Sequence, residues 1–330
     1  MPPKKSDNAL ELEEEVTPEK VIVTGSGSGI GKELVKLFLR DGSSVLAVSL
    51  FENELDSLKE ECTEYEGRLY TKRIDLSEDN ACELVENWCK ENCWTVDTLV
   101  NNAGFAIYSD CVNYDQQRVK SMINLNVRLL TELCMVFGAS MVENGRGDIL
   151  NVGSTTGMFP TMRFASYGAS KAYVNSFSAS LRAELKPHNV NVTCLCPSAT
   201  RTNFSATSGI DDFDGKSLMK SYFQRGGGAR AGKVAKIGYR GMRKRKGQVI
   251  YGPGSGLARV LRHLPQPLVP VIMRKVTGLH PIIVITAMML GYKFQGILGI
   301  VISIPLAGIV GMFLHDYLVK THHIEDDSEG

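Results

Sequence analysis

From Lys20 onward, short apolar runs alternate with stretches whose apolar residues recur every three to four positions. The first pattern predicts buried strands and the second amphipathic helices. Val21–Val23 reads as a strand, and apolar residues at 30, 34, 35, 37 and 38 predict a helix over Gly29–Arg40. Strand Val45–Val48 and helix Glu52–Glu64 follow, then strand Arg68–Ile74 and helix Glu78–Cys89. Strand Thr98–Val100 runs into Asn101-Asn102-Ala103-Gly104, two helices are predicted across about 113–143, and Asp148–Val152 is the next strand. A long helix over Ala165–Leu185 is stopped by Pro187. Strand Val190–Cys196 ends at Pro197, a basic helix-like stretch covers 233–246, and Gln248–Tyr251 is the last strand. Repeated strand–helix–strand units with short links imply an α/β fold with a parallel sheet covered on both faces. The crossover rule makes the sheet doubly wound, with ligand at the carboxyl ends of its strands.

Those strand ends carry the candidate chemistry. Thr24-Gly25-Ser26-Gly27-Ser28-Gly29-Ile30-Gly31 follows the first strand and opens a helix. Glycines there let the backbone turn tightly and approach a pyrophosphate, whose charge sits at the helix N-terminus. Asp75, followed by Leu76, is placed to accept from an adenine amino group, and Asn102-Ala103-Gly104 to line the adenosine side. The second strand ends at Ser49-Leu50. An acidic residue there would bind a ribose 2′-hydroxyl and repel a 2′-phosphate, so its absence favours NADP(H) over NAD(H). Tyr167 and Lys171 stand four residues apart on the long helix, hence on one face. A free phenol titrates near 10, and a neighbouring ammonium is expected to lower that value. Ser154, at the end of the preceding strand, is placed to hold a substrate oxygen.

Over about residues 20–255 the chain resembles the short-chain dehydrogenase/reductase family, of Rossmann type. The resemblance rests on TGSGSGIG (24–31), Asp75, NNAG (101–104), Asn126 in NLNV, Ser154, YGASK (167–171) and CPSATRT (196–202). It implies hydride transfer between a nicotinamide and a carbonyl or alcohol. It also implies Tyr167 as acid/base, Lys171 on the nicotinamide ribose, Ser154 polarising the carbonyl, and Asn126, preferred over Asn124, holding a water in a proton relay. Thr200 and Thr202 are candidate contacts to the carboxamide or phosphates, beside Pro197. Where the family usually has Pro-Gly, this chain has Pro197-Ser198, which puts the shape of the nicotinamide pocket in question. Phe105, Tyr108, Phe159, Met162, Phe164, Phe204 and Phe213 are expected near the pocket mouth and suit an apolar ketone or aldehyde. The segment from Val234-Ala235 to Gly252 further resembles a bacterial branch of broad carbonyl reductases.

Composition narrows the alternatives. Lys+Arg is 37 and Asp+Glu 36, a net charge of +1 that gives no global attraction to nucleic acid. The 8 cysteines and 6 histidines show no metal-ligand spacing, so no metal site is expected and the thiols read as reduced. Residues 1–19 read as a flexible charged lead without a secretory apolar run. The reductase domain is placed at 20–256, with 198–232 as a mobile segment beside the site. Beyond it come an amphipathic linker (257–276), an apolar helical segment (277–320) and an acidic tail (321–330). Phe294–Leu314 has no charged side chain and as a helix would reach roughly 31 Å, about a bilayer's hydrocarbon thickness. Residues 280–310 resemble a C-terminal membrane segment of the autoinducer-2 exporter (PerM-like) permease family, which implies a fusion. The basic residues Arg259, Arg262, Arg274 and Lys275 before it favour a catalytic domain on the cytoplasmic face of a membrane; a cytoplasmic protein whose apolar helices cover a dimer face is the other reading. A homo-oligomer, dimer or tetramer, is expected. The competing functions are a non-catalytic dinucleotide-binding protein tethered to a membrane and a fragmentary transport component.

Overall fold

The computed structural model describes residues 18–202, 204–210, 227–256, 258 and 262–263. Its main sheet is built from β1 (Lys20–Thr24), β2 (Ser44–Ser49), β3 (Leu69–Arg73), β4 (Thr98–Asn101), β5 (Gly147–Val152), β6 (Val190–Pro197) and β9 (Gln248–Tyr251). A two-residue ribbon, β7 (Thr200–Arg201) with β8 (Ala229–Arg230), lies between the last two in the chain. The main sheet has the order β3-β2-β1-β4-β5-β6-β9, and its paired strands are all parallel. Strand order reverses between β1 and β4, so a crevice opens at the carboxyl ends of these two strands.

Alternation along the strands divides the core in two. Ile22, Leu46, Leu99, Ile149 and Val192 face helices α3 (Ala81–Glu91), α5 (Leu130–Glu143) and α6 (Ala165–Leu185). Val21, Val45, Val100, Leu150 and Leu195 face α1 (Gly29–Arg40), α2 (Glu52–Glu61) and α8 (Ala231–Arg243). Full burial of each such side chain is worth roughly 1.5–3 kcal/mol. A register slip by one residue would exchange the two faces, so these clusters pin the strand ends that carry the site.

Four predicted helices need correction. The expected pair across 113–143 is one continuous rod: α4 (Gln116–Ile123), a π-helical turn over Asn124–Leu129, and α5. Asp115 caps its start, accepting from the Arg118 amide at 2.7 Å. The predicted helix 52–64 stops at Glu61, with a separate short turn at Thr63–Tyr65. The predicted helix 78–89 starts at Ala81, because Asp75 accepts from the Ser77 amide (2.9 Å) and hydroxyl (2.7 Å) and ties the preceding residues into a turn. The segment expected to be mobile contains α7 (Phe204–Ser208) along with β7 and β8. Its residues 203 and 211–226, Phe213 among them, lie outside the described residues, as do nearly all of the lead and linker and the whole of the apolar segment and acidic tail.

Candidate active site

The loop after β1 is held from beneath by the end of β4. Asn102 donates its Nδ2 to Thr24 O (3.0 Å) and Gly25 O (2.8 Å). The Thr24 hydroxyl donates to Val100 O and accepts from the amides of Asn102 and Ala103. Gly25 has φ +62°, and a Cβ there would lie 2.7 Å from Ala103 Cα. At Gly31 a Cβ would meet Gly25 O at 2.1 Å. Loop and helix therefore pack at a spacing that side chains forbid. Helix α1 begins with no side-chain cap from Ser28 and no acidic residue in its first turn. Its leading amides therefore have no side-chain cap, and the helix N-terminus with the bare glycines leaves a place where a pyrophosphate would fit. Gly29 adjoins Thr202, whose Cγ2 would lie 2.8 Å from a Cβ at that glycine, so the loops after β1 and β6 meet. Ile30 is half-buried and packs on the core face shared with α1.

The Ser26 hydroxyl donates to Val48 O at 3.0 Å and is fully buried, so this side chain braces β2 and is turned away from the loop's outer surface. Leu76 is a core residue and Asp75 is exposed at the sheet edge. Thr200 is buried and donates to Ser198 O at 2.8 Å, and the Thr202 hydroxyl accepts from the Phe204 amide. Ser198 adopts no left-handed backbone, so replacement of the family's glycine introduces no strain here. Its amide donates to Tyr251 O, while its hydroxyl is buried without a partner.

At the ends of β5 and β6 the structure brings together Ser154, Tyr167, Lys171 and Asn126, all buried. Lys171 donates its Nζ to Val152 O at 2.8 Å and lies 5.9 Å from the Tyr167 ring centroid. The Ser154 and Thr156 hydroxyls are 2.6 Å apart, and Ser154 lies 3.5 Å from Pro197 O. Asn126 donates to Phe105 O (2.9 Å) and Ser170 Oγ (3.1 Å) and accepts from the Phe105 amide (3.2 Å). A Cβ on Gly104 would lie 2.7 Å from Asn126 Oδ1 and 3.4 Å from Lys171 Nζ, which places the amide and the ammonium on one side of the crevice. The π turn aims Asn126 inward, whereas Asn124 donates outward to Ser77 O. Around the phenol stand Phe164 (5.6 Å between ring centroids) and Phe204 (5.5 Å), with Tyr108 against Phe164 at 5.0 Å. Phe105 packs on the same cluster, and Met162 is exposed.

The electrostatics differ from the sequence expectation. Burial pushes the Tyr167 phenol up to about 12, and hydrogen bonding from Ser154 and Thr156 only partly opposes it. Lys171 does not bring the phenol down: burial instead pulls Lys171 itself to about 8, against the nearby Cys194 and Cys196 thiols. At neutral pH the phenol holds its proton, the state required of a proton donor. Sequence reasoning missed Thr156, two residues beyond Ser154, whose only signal was the Ser154-Thr155-Thr156 run. It also missed Ser170 as the anchor of Asn126.

The protein-family model described as short chain dehydrogenase matches residues 19–212. Among curated proteins, the NADP-dependent 3-hydroxy acid dehydrogenase YdfG of Escherichia coli is 33% identical over 183 residues, covering 54% of this chain and 71% of that protein. The probable oxidoreductase EphD of Mycobacterium tuberculosis is 31% identical over 191 residues, 58% of this chain. The chain spans only 32% of the length of EphD. Among solved structures, a short-chain dehydrogenase from Sphingobium yanoikuyae in complex with NADPH superposes with a TM-score of 0.62 at 28% identity, covering 70% of this chain and 87% of that one.

Proposed function

This chain belongs to the short-chain dehydrogenase family, and from that membership we propose a hydride transfer between NADP(H) and an apolar ketone or aldehyde, or the corresponding alcohol. The carrying observation is the convergence of Ser154, Tyr167 and Lys171, with a tightly packed glycine loop at the start of α1 where a pyrophosphate would fit. When bound, the dinucleotide supplies or takes up the hydride. Thr24–Gly31 and the amides of α1 hold its phosphates, and Asn102–Gly104 line the same crevice. In the reductive direction Tyr167 gives its phenolic proton to the substrate oxygen, and Ser154 orients that oxygen by a hydrogen bond. Lys171 holds the ribose beside the phenol, and Asn126 positions the water that returns a proton to Tyr167. The rings of Phe164, Phe204 and Tyr108 support an apolar substrate.

NADP(H) is placed ahead of NAD(H) because Ser49 carries no carboxylate, and because the Escherichia coli relative is named as NADP-dependent. Exposed Met135 and Tyr173, on α5 and α6, support a homo-oligomer joined through these helices. On sequence alone, residues 277–320 are proposed to hold the domain at the cytoplasmic face of a membrane. The test of function follows NADPH absorbance with a panel of ketones and aldehydes. Carbonyl-dependent oxidation supports the reading. Binding of NADPH without turnover of any carbonyl or alcohol supports a non-catalytic sensor instead.

A further inference from the structure

Neither Ser49 nor Leu50, at the end of β2, carries a carboxylate, but the structure brings one to the place. Helix α2 begins at Glu52, and its first turn includes Glu54. That turn folds the side chain back over the strand end, where the Ser49 hydroxyl donates to Glu54 Oε2 at 3.2 Å. The same carboxylate lies against the phosphate loop. A Cβ on Gly27 would sit 2.2 Å from Glu54 Oε2 and 2.8 Å from Ser49 Oγ, so the bare glycine gives Glu54 its room. The Gly27 backbone, the Ser49 hydroxyl and the Glu54 carboxylate thus share one corner, where the first loop meets the second strand. In a doubly wound dinucleotide fold this corner receives the ribose of the adenosine half.

Nearby cations leave that charge standing. Lys32 and Lys36 on α1 both pair with Glu61. Arg73, the register partner of Ser49, donates its Nε to Leu50 O at 3.2 Å. Among the described residues, Glu54 has an ion pair with none of them.

We infer that Glu54 sets the balance between the two forms of the dinucleotide. Its carboxylate accepts from a ribose 2′-hydroxyl and repels a 2′-phosphate, so it works against the preference that Ser49 alone would allow and keeps NAD(H) in use. This role rests on the dinucleotide reading above, yet it concerns binding and not hydride transfer.

The experiment measures dissociation constants of NADH and NADPH for the full-length protein by nicotinamide fluorescence, with Glu54→Gln, Glu54→Asp and Arg73→Gln alongside. Circular dichroism verifies that each variant is folded. In Glu54→Gln, NADPH is expected to bind about tenfold more tightly relative to NADH, a change of about 1.4 kcal/mol. Glu54→Asp keeps the charge and is expected to stay near the wild-type ratio. A ratio unchanged within twofold in Glu54→Gln, with both dinucleotides still bound, overturns the assignment. So does a ratio that moves only in Arg73→Gln. Binding without turnover would fail the catalytic reading and leave this ratio fully measurable; a wild-type protein that binds neither dinucleotide overturns both.

Discussion

Lys171→Met isolates the cost of burying an ammonium that the proposed chemistry requires. Lys171 is 5% exposed and donates to Val152 O at 2.8 Å. Burial holds its pKa at about 8 in the folded protein, against the ordinary lysine value of 10.5. Between those values the unfolded chain binds more protons than the folded one, so stability rises with pH across the interval. Below about pH 8 the full penalty applies, and the difference between 10.5 and about 8 corresponds to roughly 3 kcal/mol. Methionine removes that penalty but leaves the Val152 carbonyl without its donor, at a cost of about 1–3 kcal/mol at every pH. At pH 7 the variant is therefore expected to be as stable as the wild type, or up to about 2 kcal/mol more stable. Between pH 7 and pH 10 the wild type should gain roughly 2–3 kcal/mol on the variant, because only it loses a buried charge. Urea unfolding of both proteins at both pH values measures this gap, and most other titrating groups cancel in the comparison. A gap that stays constant within about 0.5 kcal/mol would refute the reasoning that Lys171 is a cation buried at a cost.

Gly31→Ala should loosen the phosphate loop, because the new Cβ would meet Gly25 O at 2.1 Å; a loss of about 1–3 kcal/mol in thermal or urea unfolding and at least a tenfold weaker dinucleotide affinity are expected. Asn102→Ala removes both side-chain bonds to Thr24 O and Gly25 O, so unfolding should again register about 1–3 kcal/mol, with dinucleotide affinity reduced in parallel. Deleting 277–330 should move the protein from the membrane pellet to the supernatant after high-speed centrifugation. Full-length protein that is already soluble without detergent, with partitioning unchanged by the deletion, would contradict the membrane proposal.

Much of the sheet was legible because its strands are covered on both faces and read as continuous apolar runs, as in Val21–Val23 and Val45–Val48. Helices α1 and α6 were equally clear, one from its apolar spacing and the other from the proline that stops it. The rod over 116–143 was not. A π-helical turn changes the spacing for a few residues without any marker residue, so a pattern built on 3.6 residues per turn breaks there and suggests two helices. Glu54 escaped notice for a different reason. Its carboxylate reaches Ser49 through the fold of a helix turn, and no strand-end motif contains it. The inward turn of Ser26 was equally hidden, since nothing in a phosphate-loop motif says that this polar residue spends its hydroxyl on Val48 O. The Tyr167–Lys171 spacing correctly brings ring and ammonium to one side of α6, but spacing carries no information on burial, and burial decides both titrations.

Tyr167→Phe tests the central claim most directly. The change removes one buried hydroxyl and leaves the phosphate loop, Lys171 and the aromatic surround in place. Carbonyl-dependent NADPH oxidation and NADPH affinity are measured side by side on the wild type and the variant. Turnover is expected to fall by at least two to three orders of magnitude, in keeping with the loss of a positioned proton donor, while the dissociation constant stays within a few fold. A variant that keeps the wild-type rate would contradict the assignment of Tyr167 as the proton donor.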